Sequence, residues 1–89
     1  MRGLTARNRL WLPPMCMYTV EAQDGVVTDW HVTHYASRAV GGFGTIIVEA
    51  TAVTPEGRLS PYDLGLWSDE QIVGQRRLVE AIHAGGAVA

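Results

Sequence analysis

The stretch that decides the fold is Asp29 to Val53, DWHVTHYASRAVGGFGTIIVEATAV. Its first half repeats apolar residues at helical spacing. Val32, Tyr35, Ala36 and Ala39 fall at i, i+3, i+4 and i+7, which predicts one buried helix face. Thr28 or Asp29 is the expected N-cap, and Gly41-Gly42 stops the helix as glycines past a C-cap do. Its second half changes period. Ile46-Ile47-Val48 is continuous and β-branched, which predicts a strand buried on both faces.

The flanking sequence repeats this unit. Upstream, RLWLPP reads as a short buried strand closed by Pro13 and Pro14, which cannot donate to a ladder. Residues 19–28 form a loop with a turn at Asp24-Gly25. Downstream, residues 54–67 form a second long loop. Ser68-Asp69-Glu70-Gln71 is a capping box, and the acidic pair suits the positive end of a helix dipole. Ile72, Val79 and Ile82 mark the expected buried stripe of that helix, and Gly85-Gly86 end it. Ala87-Val88-Ala89 opens a third strand.

The order is therefore β-loop-α-β-loop-α-β. Alternating units with buried strands predict the α/β class, with a parallel sheet and right-handed crossovers. Two units cannot cover both faces of such a sheet. The reading is of part of a larger domain, for which a barrel of about 250 residues is one candidate. In parallel units all strands end at one face. Both long loops emerge there, and that is where such folds keep their sites. Cys16, Tyr18, Ala50 and Thr51 are placed at that mouth by topology alone.

Composition narrows the chemistry. The chain has 89 residues, 47% hydrophobic and 18% charged, with a net charge of -2. That argues against disorder, and nothing basic and clustered suggests nucleic acid. All seven cations are arginine, which removes a Schiff-base lysine and a phosphate-loop lysine. One cysteine excludes an internal disulfide and fits a reducing compartment. No secretory signal or membrane-length apolar run is visible. A soluble cytoplasmic protein is the expectation.

Candidate residues have bland and functional readings. Cysteine ordinarily packs as a small hydrophobe, but Cys16 sits at the mouth. A redox-sensor thiol would need a depressed pKa, and Arg7 and Arg9 lie at the far end of the strand. His31 and His34 share a helix, yet no third ligand completes a metal set, so no metal is expected. Glu49, inside the end of a buried strand, needs a partner. An arginine such as Arg38 or Arg58 is the expected one, in a structural ion pair. Gly41-Gly42-Phe43-Gly44 precedes a strand, so it is not a dinucleotide fingerprint.

Four stretches together carry a resemblance: RNRLWLPPMCMYT, DGVVTDWHVTHYASRAVGGFGTIIVEATAV, PEGRLSPYDLGLWSDEQI and RRLVEAIHAGGAVA. They resemble the amino-terminal part of the Old Yellow Enzyme family, NADPH-dependent flavin (FMN) ene-reductases, and most of all its bacterial, cysteine-containing, xenobiotic reductase-like subgroup. The resemblance implies the first units of a (β/α)8 TIM barrel, truncated near the third strand. Residues 1–89 are then the N-terminal part of a single FMN-binding domain. It implies that Pro13, Pro14, Met15, Cys16 and Ala50 contact FMN, that Cys16 tunes the flavin, and that Tyr18 faces the substrate's polar group. Many relatives carry Ser or Ala where Pro13 stands, so a hydroxyl contact is lost here while backbone contacts survive. The implied reaction passes hydride from reduced flavin to the alkene of an α,β-unsaturated carbonyl, with NADPH as reductant. The implied partners are small-molecule enones, with no nucleic acid and no membrane, in a full-length enzyme that a homo-oligomer would suit. The later histidine pair, proton-donating tyrosine and phosphate loops of the family have no counterpart in these residues. The alternative expectation is a non-catalytic barrel piece, inactive alone or paired with a complementary chain.

Overall fold

The computed structural model describes residues 2–89. Two short strands, β1 (Trp11–Leu12) and β2 (Thr45–Ile46), pair in parallel, with Trp11 opposite Thr45 and Leu12 opposite Ile46. Val88 adds a parallel bridge to Thr45, so the expected third strand begins where its sequence predicted. Helix α1 (Asp29–Val40) joins β1 to β2, and α2 (Ile72–Ala84) runs on towards Val88. The two helices pack side by side on one face of the sheet. Leu12, Ile46 and Ala87 from the strands meet Tyr35, Ala39, Leu78 and Ile82 from the helices in one core. Among the described residues no helix is long and apolar enough to cross a membrane.

Thr28 caps α1, and the cap is unusual in composition. The N3 position of the capping box is His31, whose side chain fills the role that Glu or Gln ordinarily takes. Ser68 and Gln71 form the second box as read from sequence, although Asp69–Gln71 is a 3-10 turn before α2 proper. The buried stripe of α2 differs from expectation. Leu78 and Ile82 are fully buried, but Ile72 is 41% exposed and Val79 half-buried. The inward face counts from buried Gln71 instead. A polar residue leads it because its amide ties two loops together.

The strands also differ. The run Ile46–Val48 is not buried on both faces: Ile46 is 1% exposed and Ile47 is 42% exposed. Only the helix-covered face is closed among the described residues. For the same reason Trp11 is exposed beside buried Leu12. The pairing stops early. Ile47 N–H donates to Leu12 O at 3.0 Å, and beyond it Pro13 and Pro14 offer no N–H. The chain then turns away. Thr51–Ala52 (β3), at the end of the strand the sequence predicted, pairs in parallel with Leu64–Gly65 (β4), which lies inside the expected loop 54–67.

At the rim opposite the strand ends, one arginine holds three elements. The Arg7 guanidinium donates to Phe43 O at 2.8 Å, to Gly85 O at 3.1 Å and to Ala39 O. Ala39 and Gly85 close the two helices, so a cation there opposes the negative ends of both dipoles. Arg7→Ala is expected to cost about 1–2 kcal/mol, the site being partly exposed. Arg7→Lys, which cannot fork, should recover less than half of that loss. Thermal unfolding of the two variants checks the ordering; equal stability of Arg7→Ala and the parent would refute it.

Candidate functional site at the strand C-termini

Cys16 lies four residues past Leu12, and Ala50 four residues past Ile46, on adjacent parallel strands. The two therefore stand on the same rim, the one from which both long loops emerge. Pro13, Pro14 and Ala50 are exposed, as are Met15 and Tyr18, and Cys16 is a half-buried free thiol. Thr51 is half-buried and donates its hydroxyl to Glu49 O at 3.0 Å. Beside Ala50 a hollow of about 170 Å³ is lined by Thr51, Ala52, Gly57, Leu59 and Asp63.

Tyr18 has φ +55°. A bulky side chain in the left-handed region is a true outlier, kept only when its surroundings over-determine it. The anchors are visible just after it. Thr19 Oγ1 lies 3.3 Å from His31 Nε2. Val20 is fully buried, and its N–H donates to Tyr62 O at 3.0 Å.

The two long loops are laced together into a wall. Gly65 N–H donates to Gly25 O at 2.9 Å. Gln71 Nε2 donates to Asp24 O at 3.0 Å, while its Oε1 accepts from Trp67 N–H at 2.7 Å. Arg58 donates to Gln23 O, Pro55 O and Pro61 O and lies 5.3 Å from the Trp67 ring centroid. Asp63, 2% exposed, accepts from Leu59 and Ser60 N–H at 2.6 and 3.1 Å. Gly25 is required at its place: φ is +71°, and a Cβ would fall 2.6 Å from both Gln71 Nε2 and the Trp67 ring.

Beneath the rim lies a buried polar cluster. Tyr35 O–H donates to Glu49 Oε2 at 2.8 Å and its oxygen accepts from Glu49 N–H at 3.0 Å. His31 Nε2 lies 3.4 Å from Glu49 Oε1, with both side chains essentially inaccessible. Thr28 N–H donates to His31 Nδ1 at 3.2 Å, and the Thr28 hydroxyl lies 2.7 Å from the same nitrogen. Nδ1 thus receives donors, which leaves Nε2 as the protonated nitrogen facing Glu49. Burial, with the Glu49 carboxylate beside it, pushes the Tyr35 phenol well above its usual range, so it stays a donor. Burial, then the Arg38 charge, lowers His34.

Glu49 therefore does have a partner, but not the arginine expected. Arg38 donates to Ser37 Oγ at 2.9 Å, and Arg58 serves the loops. Tyr35 was legible only as part of an apolar stripe. Its signal was the phenol itself, since a buried tyrosine hydroxyl must find an acceptor. His31 was signalled by Thr28-x-x-His31 at capping-box spacing.

A family model described as the NADH:flavin oxidoreductase / NADH oxidase family matches residues 1–89. The chain is 56% identical over 89 residues to an NADPH dehydrogenase of Halalkalibacterium halodurans, covering 100% of this chain and 26% of that protein. It is 53% identical over the same length to one of Listeria monocytogenes, again covering 26% of it. Among solved structures, morphinone reductase superposes with a TM-score of 0.85 at 34% identity, over 96% of this chain and 22% of that one. An old yellow enzyme homologue from Zymomonas mobilis gives 0.85 at 36%, over 96% and 23%. These neighbours are (β/α)8 barrels, and the two β/α units of this chain are units of that fold. The chain spans about a quarter of the length of the curated relatives it matches.

Proposed function

Since the chain belongs to the NADH:flavin oxidoreductase / NADH oxidase family, which is FMN-dependent, we propose that its rim forms one wall of an FMN site. The enzyme would pass hydride from NADPH to the alkene of an α,β-unsaturated carbonyl compound. The observation that carries this reading is that Cys16 and Ala50 each follow by four residues one of two adjacent parallel strands, with Tyr18 two residues beyond Cys16 in a strained conformation.

The residues present fit a flat heterocycle with a polar edge. Pro13, Pro14, Met15 and Ala50 offer exposed apolar surface with little side-chain freedom at three of the four positions. The half-buried thiol of Cys16 adds a weak, uncharged donor. Bound FMN supplies the hydride chemistry, and the protein orients and tunes it. Pro13, Pro14, Met15, Cys16 and Ala50 would hold the ring. Tyr18, exposed and with its backbone held by the anchors that follow it, would donate its phenolic proton in a hydrogen bond to the substrate carbonyl oxygen, where negative charge develops.

The direct test is NADPH consumption by the FMN-loaded enzyme with 2-cyclohexenone, with the saturated ketone quantified. Stoichiometric alkene reduction is the expected result. NADPH oxidation that yields only hydrogen peroxide, with the enone untouched, would overturn the substrate assignment.

Two substitutions refine the roles. Tyr18→Phe keeps the ring and removes one hydrogen bond, so kcat/KM is expected to fall about 5–10-fold. An unchanged kcat/KM would remove Tyr18 from the site. Cys16→Ala should retain FMN and shift its reduction potential by about 10–30 mV, the equivalent of one weak hydrogen bond in a two-electron couple. Loss of all bound flavin would instead make Cys16 a structural residue.

A further inference from the structure

The buried cluster under the rim joins the two halves of the proposed site. The β1–β2 ladder ends at the Ile47–Leu12 bond, because Pro13 and Pro14 have no donors to continue it. Main-chain pairing therefore does not fix residues 49–50 against residues 15–19. Side chains from α1 do. Tyr35 grips residue 49 twice, through its carboxylate and through its N–H. Thr51 Oγ1 holds Glu49 O from the other side. Ala50 is thereby fixed between two bound neighbours. His31 Nε2 stands between Glu49 Oε1 at 3.4 Å and Thr19 Oγ1 at 3.3 Å. Thr19 directly follows the strained Tyr18, and Glu49 directly precedes Ala50. His31 is itself locked by Thr28 through the helix cap.

We infer that His31, Tyr35 and Glu49 are positioning residues that set the Tyr18–Thr19 segment and Ala50 in register with one another across the rim. They touch neither FMN nor substrate and act only through the residues they hold. The inference rests on the FMN reading of the rim, in that its functional consequence is expressed there. The mechanical coupling is a property of this chain.

The test uses Tyr35→Phe, Glu49→Gln and His31→Leu in the FMN-loaded enzyme of which these residues form part, with exposed Thr33→Ala as the control from the same helix. Tyr35→Phe removes only the hydroxyl. It is expected to raise the FMN dissociation constant roughly tenfold, the equivalent of one to two buried hydrogen bonds. It should raise KM for 2-cyclohexenone several-fold while changing kcat less than about twofold. His31→Leu should do the same through Tyr18. Glu49→Gln, which keeps an acceptor for Tyr35, should show the smallest change of the three. A second readout needs no flavin. The iodoacetamide alkylation rate at Cys16, followed by peptide mass spectrometry in the FMN-free protein, should rise several-fold in Tyr35→Phe and His31→Leu and stay at the parent value in Thr33→Ala. Variants that lose thermal stability while the FMN constant, KM and the alkylation rate stay within twofold of the parent would overturn the inference. If the parent takes up no FMN, the reading of the rim as a flavin wall falls, and the alkylation rates alone still decide for or against the coupling.

Discussion

Residues 1–89 expressed as a free polypeptide are expected to show no saturable FMN uptake below about 100 μM and no NADPH-linked reduction of an enone. The rim offers contacts to a ring edge but holds its cations elsewhere. Arg7 is on the opposite rim with three carbonyls on its guanidinium, and Arg58 is occupied by Gln23, Pro55 and Pro61. An FMN phosphate would find neither of them free. The fold of residues 2–89 also leaves apolar surface open on both sides. Trp11, Met15 and Ile47 are 42–53% exposed on or beside the uncovered sheet face, and Val73 is 73% exposed on α2. A groove of about 340 Å³ runs between Leu66, Ile72 and Val79. Among the described residues β1 is an open edge, a template for pairing with another chain. Among the described residues Thr45 Oγ1 and Gln75 Nε2 are buried without partners, each a cost to stability. Aggregation above micromolar concentration is the expected behaviour. The measurements are FMN fluorescence titration and sedimentation velocity on purified 1–89. A monomer that saturates with FMN at submicromolar concentration would show that these two units carry a sufficient site by themselves, and the non-catalytic alternative for the free polypeptide would fall with it.

How much of this was readable in advance depended on the range of the interaction involved. Helix α1 was legible at both ends because its signals are local: Thr28 before it, Gly41-Gly42 after it, and an apolar period between them. The rim was legible because strand direction follows from the order of elements, so Cys16 and Ala50 had to share it. Strand lengths were not. The two-residue β3 and β4 carry no alternation to read, and β2 ends at Ile46 because of prolines that directly follow its partner strand. The α2 stripe was misplaced because its leading inward residue, Gln71, is polar and earns burial from three hydrogen bonds to loops. The left-handed Tyr18 was hidden for a related reason. Local sequence marks such conformations by Gly or Asn, whereas here distant anchors impose it. The Arg7 clamp and the Tyr35–Glu49 pair belong to the same class, being tertiary contacts with no periodic trace.

Glu49→Ala is expected to be the most destabilising single substitution at the rim, at about 3–5 kcal/mol. The loss has several parts that act together. Tyr35, 2% exposed, would keep a buried hydroxyl with no carboxylate to receive it. His31 Nε2 would lose Glu49 Oε1 and retain only Thr19. Both groups are shielded from bulk solvent, His31 being 0% exposed and Tyr35 2%. The deleted methylene and carboxyl also leave a void beneath Ala50, and buried voids carry their own cost. Against a typical domain stability of about 5–15 kcal/mol this is a large fraction. In a domain of barrel size it corresponds to a fall in Tm of about 6–20 °C. Glu49→Gln separates the causes. It fills the same volume and keeps an oxygen for the Tyr35 O–H, so it should cost no more than about 1–2 kcal/mol. Thermal unfolding of the FMN-loaded enzyme, followed by circular dichroism, gives both numbers. An alanine variant within 1 kcal/mol of the parent would mean the cluster is not holding the rim. A glutamine variant as damaged as the alanine one would mean that the charge of Glu49, and not its role as acceptor for Tyr35, is what the fold requires.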